Sequence, residues 1–170
     1  MQTLQNPPPH PNRASLRLLA GQALSRAAGA PLVAGNRVQL LIDGSAHFEA
    51  WGAMIAAARH DVLLENYIIA DDAVGRHFRD LLIERARAGV HVAVIHDWFG
   101  TFGNAGHRFF SPLRAAGVAV RAFNRPRLES PLGWVGRDHR KLLAVDGRVG
   151  SVSGVCVSAK WLGDAAHGVA

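Results

Sequence analysis

Within the segment Asp138-His139-Arg140-Lys141-Leu142-Leu143-Ala144-Val145-Asp146, three chemically capable residues stand in the pattern His-x-Lys-x-x-x-x-Asp. An imidazole offers a nucleophile or a proton donor, an ammonium a fixed cation for an oxyanion, and a carboxylate a group to orient either. His139 and Lys141 are two residues apart, a spacing that puts both side chains on one face of a strand. An apolar run separates them from Asp146. Lys141 and Lys160 are the only lysines among 19 cationic side chains, so a lysine inside the pattern stands out. At the chain's own residue frequencies the triplet arises by chance in roughly one sequence of this size in two hundred.

The elements that must position this set alternate along the chain. Leu16, Leu19, Ala20, Ala23, Leu24 and Ala27 recur at helical spacing over 14–28. That helix either covers the domain, the favoured reading, or lies on a membrane. A strand is predicted over 37–42, then a helix over 45–59 opened by Ser45 as cap. Strands follow at 62–69, 91–96 and 118–123, with helices at 72–88, stopped by Gly89, and 108–116. A basic, Pro/Gly-rich loop spans 124–138 and reads as a functional surface loop. Residues 142–145 and 149–157 form a hairpin about Asp146-Gly147, a strong turn signal. The alternation predicts an α/β fold with helices on both faces of a mixed sheet. The expected organisation is a Pro-rich flexible leader over 1–13 and a single domain over 14–170.

Composition narrows the class. At 170 residues the chain has room for one domain with a real core and not for two ordinary ones. No run approaches the roughly 20 apolar residues of a membrane span, and no basic segment followed by an apolar one marks a signal peptide. Cys156 is the one cysteine, which excludes an internal disulfide and fits a reducing compartment. A cytoplasmic protein, peripheral at the inner membrane surface, is the expectation. The net charge of +6 suits anionic partners without choosing among phospholipid head groups, nucleic acid and phosphorylated metabolites. Neither clustered metal ligands nor a phosphate-binding glycine loop is present, so no metal and no cofactor are expected.

His139-Arg140-Lys141-Leu142-Leu143-Ala144-Val145-Asp146-Gly147-Arg148-Val149 resembles the signature of the phospholipase D superfamily, in particular its bacterial cardiolipin synthase branch. The likeness extends to residues 35–38, 64–69, 88–92 with Asp97 and Gly100, and 116–118, and covers the chain from about residue 16 onward. The resemblance implies an α-β-α sandwich with a mixed, mostly parallel sheet. Two such halves, in one chain or as a dimer, each bring one His-Lys-Asp set to a shared, metal-independent site. It makes His139 the nucleophile that forms a phosphohistidine and puts Lys141 on the phosphoryl oxygens. Asp146 would fix the tautomer of a histidine, in this half or across the interface. The leaving-group proton would come from a second histidine, and thus from a second half or a homodimer partner. There are two departures. Ser153 and Gly154 stand where a Gly-Gly or Gly-Ser pair is usual, and Cys156 where an Asn contacts the phosphate. The chain also stops at Ala170 where two-motif relatives continue, so it is expected to be the first half of such an enzyme.

Other residues keep two readings. Glu65 is a paired core carboxylate or part of the site floor; Asp97, at a strand's end, is a site residue or a loop cap. Arg125, Arg127, Leu132 and Trp134 suit a lipid-facing rim or an ordinary basic loop. Cys156 is a weak donor or a small buried hydrophobe, the commoner role. His60, His91 and His96 read as structural. The expected function is phosphatidyl transfer between anionic phospholipids. A homodimeric phosphodiesterase acting on nucleic acid and a catalytically incomplete lipid-binding fragment are the alternatives.

Overall fold

Five strands pair in the order β3-β2-β1-β4-β5 in the computed structural model, which describes residues 12–126 and 135–163. These are β1 (Asp61–Asn66), β2 (His91–Asp97), β3 (Ala119–Phe123), β4 (Lys141–Val145) and β5 (Val149–Val152). β1, β2 and β3 run parallel, while β4 lies antiparallel to both β1 and β5. The sheet is therefore mixed, and helices flank it. Two compact units divide the chain, Met1–Leu40 and Leu41–Ala170.

The first unit holds α1 (Arg13–Ala28), capped by the Asn12 side chain and ended by Gly29 in the left-handed conformation. None of the α1 residues is buried.

In the second unit α2 (Asp43–Ala56), α3 (Ala73–Arg87) and α5 (His107–Ala115) form one layer. Against it the strands present their buried face: Val62 and Leu64, Val92 and Val94, Leu143 and Val145. These positions alternate along each strand, as a half-buried sheet requires. Trp51 of α2 and Phe78 of α3 are almost wholly enclosed between the layers. The Trp51 indole N–H donates to Ser151 Oγ at 2.8 Å, tying α2 to β5. On the opposite face Leu63, Ile95 and Phe123 keep more than a third of their surface exposed. A four-residue helix, α4 (Trp98–Thr101), directly follows β2.

Several sequence expectations need correction. Residues 37–42 are irregular, because a strand exists only where another backbone pairs with it; Val38, Leu40 and Ile42 are exposed instead. The following helix starts at Asp43 rather than Ser45, and Asp43 Oδ1 accepts the amide of Ala46 as its cap. β1 ends at Asn66 instead of 69, after which Ile69 makes only an isolated bridge to Val157. β5 likewise ends at Val152. The hairpin turn is as expected: Asp146 and Gly147 both have positive φ, as a type I′ turn demands. Most of the expected leader and residues 127–134 of the expected surface loop lie outside the described residues.

Burial assigns the stability. Trp51→Ala should lower the unfolding free energy by about 3–5 kcal/mol in urea titrations. Val152→Ala, at an exposed site, should change it by no more than about 0.5 kcal/mol.

Candidate active site

β4 carries the reactive pair to one end of the sheet. Lys141 opens β4 opposite Asn66, the last residue of β1. Alternation turns Lys141 to the helix-covered side, with Leu143 and Val145. His139 lies just outside the strand, two residues earlier. Lys141 is buried, and its Nζ lies 3.2 Å from His139 Nδ1 and 2.6 Å from the His139 carbonyl oxygen. An ammonium has only protons to offer. Nδ1 therefore faces Lys141 with its lone pair, and a neutral His139 carries its proton on Nε2.

Tyr67 completes the surroundings of this pair. Its ring lies against the His139 imidazole with centroids 3.9 Å apart, and the Lys141 ammonium sits 5.2 Å from the same ring. Gly100 allows that placement. A Cβ there would come within 2.5 Å of the Tyr67 carbonyl oxygen and 2.7 Å of its ring. Beside Lys141, Asn66 is enclosed; its Oδ1 accepts the Val157 amide at 3.3 Å, while its Nδ2 is buried with no partner. A buried unpaired donor next to a buried cation is costly unless an anion arrives to accept from it. Cys156 is also buried, and burial pushes its thiol pKa up despite the nearby Lys141. The thiol thus stays protonated, a small group filling space beside the cation.

Asp146 lies elsewhere. It sits at the far end of β4, about 16 Å along the strand from Lys141. Its carboxylate accepts the amides of Asp61 at 2.9 Å, His60 at 2.8 Å and Arg59 at 3.0 Å. Those bonds hold its pKa below the usual carboxylate range. The expected tautomer-fixing role within this half is therefore corrected: Asp146 clamps the α2–β1 connection to the hairpin.

Glu65 lies on the opposite face from His139, because it is the residue beside Asn66 on an alternating strand. It is the paired carboxylate of its two readings: Arg140 Nη2 approaches its Oε1 at 2.8 Å, and Arg140 Nε also binds Asp138 Oδ1 at 2.9 Å. Burial, with the hydrogen bond and charge of Asp138 beside it, pushes the Glu65 pKa up to about 7. Burial also opposes the charge of Asp138, but the hydrogen bonds from Arg140 and Glu65 hold its pKa well below normal. The pair thus shares one proton below neutral pH. Asp97 is the cap of its two readings, accepting the Gly100 amide at 2.8 Å. Its second oxygen accepts the Asp138 amide, also at 2.8 Å, which pins the residue before His139. Asp72 caps α3 and accepts from Ser158 Oγ and the Ala159 amide, so the segment after the motif returns to the same end of the sheet.

Ser153 closes a local turn, its Oγ accepting the Val155 amide, and does not reach His139. Arg125 lies on the exposed surface after β3; Arg127, Leu132 and Trp134 lie outside the described residues. Among the described residues no group of His, Cys, Asp and Glu is arranged to hold a metal ion. Sequence reasoning passed over Asn66 and Tyr67. Only the β1–β4 register, which brings Asn66 opposite Lys141, reveals them.

No family model matches the chain. Over 150 residues it is 38% identical to cardiolipin synthase A of Pseudomonas aeruginosa strain LESB58, covering 84% of this chain and 29% of that protein. Over 152 residues it is 38% identical to cardiolipin synthase A of Pseudomonas entomophila strain L48, covering 86% of this chain and 30% of that protein. The chain thus spans less than a third of the length of these curated relatives. NucT from Helicobacter pylori shares its fold, with a TM-score of 0.50 at 15% identity over 67% of this chain and 69% of that one.

Two predictions follow from the carboxylates. The folded-state pKa of Glu65 lies above its unfolded value, so its stabilising contribution is complete below about pH 4.5 and lost as pH rises toward 7. Thermal melts should show that decline, and Glu65→Gln should flatten it; an unchanged profile in the variant would refute the assignment. Asp146 has a depressed pKa, so its contribution is lost on acidification below the normal carboxylate range. Asp146→Asn should lower Tm at neutral pH and leave the ring resonances of His139 in place by NMR.

Proposed function

The chain is a homologue of the bacterial cardiolipin synthases A and carries a phospholipase D-like fold, and from this we propose that it is one half of a phosphatidyltransferase working on anionic phospholipids. The observation that carries the proposal is the His139–Lys141 pair, an imidazole nitrogen 3.2 Å from a buried ammonium at the end of a rigid sheet.

Phosphate oxygens accept more strongly from an ammonium than an imidazole nitrogen does. Substrate phosphate therefore draws Lys141 onto the phosphoryl oxygens and releases the ring lone pair. That nitrogen attacks phosphorus; a P–N bond forms, the P–O bond to the leaving glycerol breaks, and the alkoxide takes a proton. The hydroxyl of a second phosphatidylglycerol, or a close relative of it, then gives its proton to the group that protonated the alkoxide and attacks the phosphohistidine; a P–O bond forms, and the P–N bond electrons return to His139. Lys141 and the unpaired Asn66 Nδ2 balance the charge that grows on the phosphoryl oxygens. The protonating group is a second histidine, supplied by another half of the same protein or by a second copy of this chain.

The membrane surface is the working location this reading implies. The net charge of +6 favours an anionic surface, and among the described residues no helix is long and apolar enough to cross a membrane.

In the assembly that supplies the second histidine, His139→Ala should cut transfer from phosphatidylglycerol by at least about a thousandfold with an unchanged circular dichroism spectrum. EDTA should leave the wild-type rate intact. Parallel loss of secondary structure in the variant would make His139 structural. Inhibition by EDTA that one specific divalent ion reverses would reveal a metal requirement, and cleavage of DNA without lipid turnover would overturn the choice of substrate.

A further inference from the structure

A cleft of about 380 Å³ opens at the β2–β3 end of the sheet, outside the His139–Lys141 pair. Trp98, Phe102 and Phe110 supply its apolar walls, and Arg114, Arg125 and His96 its polar groups. Among the described residues neither arginine has an acidic partner. His96 is the buried member, with 6% of its surface exposed, and its ring stacks on Phe110 at 4.4 Å and an interplanar angle of 10°. Arg114 also lies over Phe110, its Cζ 5.8 Å from the ring centroid.

The hydrogen bonding of His96 fixes what it offers. Its Nδ1 lies 3.3 Å from the Asp97 carbonyl oxygen, an acceptor, so Nδ1 carries the ring proton. Burial and the neighbouring Arg114 both disfavour a second proton. Nε2 is then a lone-pair acceptor without a partner among the described residues, on a ring that lines the cleft. An anion that carries no proton, such as sulfate, satisfies the arginines and leaves Nε2 unpaired; a sugar or polyol without charge leaves two arginines unused. We propose that this cleft is a subsite for a hydroxylated phosphate ester of the glycerophosphate type, with the phosphate between Arg114 and Arg125 and a hydroxyl donating to His96 Nε2. The choice of a glycerol ester rests on the phosphatidyltransferase reading. The arginine and histidine chemistry does not.

Two sources present the same group, the head group of phosphatidylglycerol in a bilayer and free glycerol phosphate. Calorimetric titration with sn-glycerol 3-phosphate, glycerol and sulfate, alongside flotation on phosphatidylcholine vesicles with and without phosphatidylglycerol, separates them. The wild-type chain should bind glycerol phosphate more tightly than sulfate or glycerol. The double variant Arg114→Gln/Arg125→Gln, with its fold verified by circular dichroism, should bind about tenfold or more weakly. Binding should persist in His139→Ala, which keeps this readout independent of catalysis. If the double variant also loses flotation on phosphatidylglycerol vesicles, the lipid head group is the ligand; if flotation is unchanged, the free ester is. The proposal fails if neither glycerol phosphate nor the phosphatidylglycerol vesicle binds, if the double variant binds as the wild type does, if sulfate binds as tightly as the ester, or if His139→Ala abolishes binding. An assembly containing the second histidine that binds the ester and transfers nothing would refute the transfer reaction and leave the subsite standing.

Discussion

The antiparallel register between β1 and β4 is the constraint from which the rest of the site follows. It is locked at one end by the Asp146 carboxylate, which gathers three consecutive amides leading into β1. With that end fixed, pairing carries on from Val62 opposite Val145 to Asn66 opposite Lys141. A slip of one residue would turn Lys141 to the other face of the sheet and bury Arg140 instead. The aspartate thus bears on the candidate site from a distance: it sets the strand that carries the lysine, and its carboxylate bonds to neither the lysine nor His139. Asp97 adds a second anchor at the opposite end by holding the Asp138 amide.

The sheet separates two kinds of electrostatics. On the helix side of its end, Lys141 is held against His139 and Tyr67 with an unpaired amide beside it, an arrangement short of one anion. On the other side, Glu65, Asp138 and Arg140 satisfy one another, so their role is to hold the segment around His139. Alternating residues of one short stretch therefore meet different surroundings: 139 and 141 form the proposed catalytic pair, and 138 and 140 anchor it. The short helix α4 serves both, since its Gly100 is capped by Asp97 and leaves room for Tyr67.

Much of this was legible in the sequence because the signals are local. Periodicity located α3, β2 and β3 to within a residue or two, the Asp146-Gly147 pair marked the hairpin, and two-residue spacing put His139 and Lys141 on one face. What was not legible depends on pairing between distant segments. Residues 37–42 have the alternation of a strand and no neighbour to pair with. Asp146 belongs to a three-residue pattern that suggests joint chemistry, yet its partners are amides more than 80 positions away in sequence. Asn66 is enclosed and Glu65 pairs with Arg140 because β1 is covered on one side, which single-sequence alternation does not distinguish from the other. Tyr67 has no motif of its own and gains its place through Gly100 and His139.

The central claim is that His139 becomes covalently phosphorylated during turnover, and trapping the adduct tests it most directly. The assembled enzyme would be quenched under alkaline conditions during reaction with phosphatidylglycerol and its peptides read by mass spectrometry. The account predicts an acid-labile phosphatidyl adduct on the peptide containing His139, absent when the substrate is omitted. Turnover with no adduct at His139, or with the adduct on another residue, would contradict it.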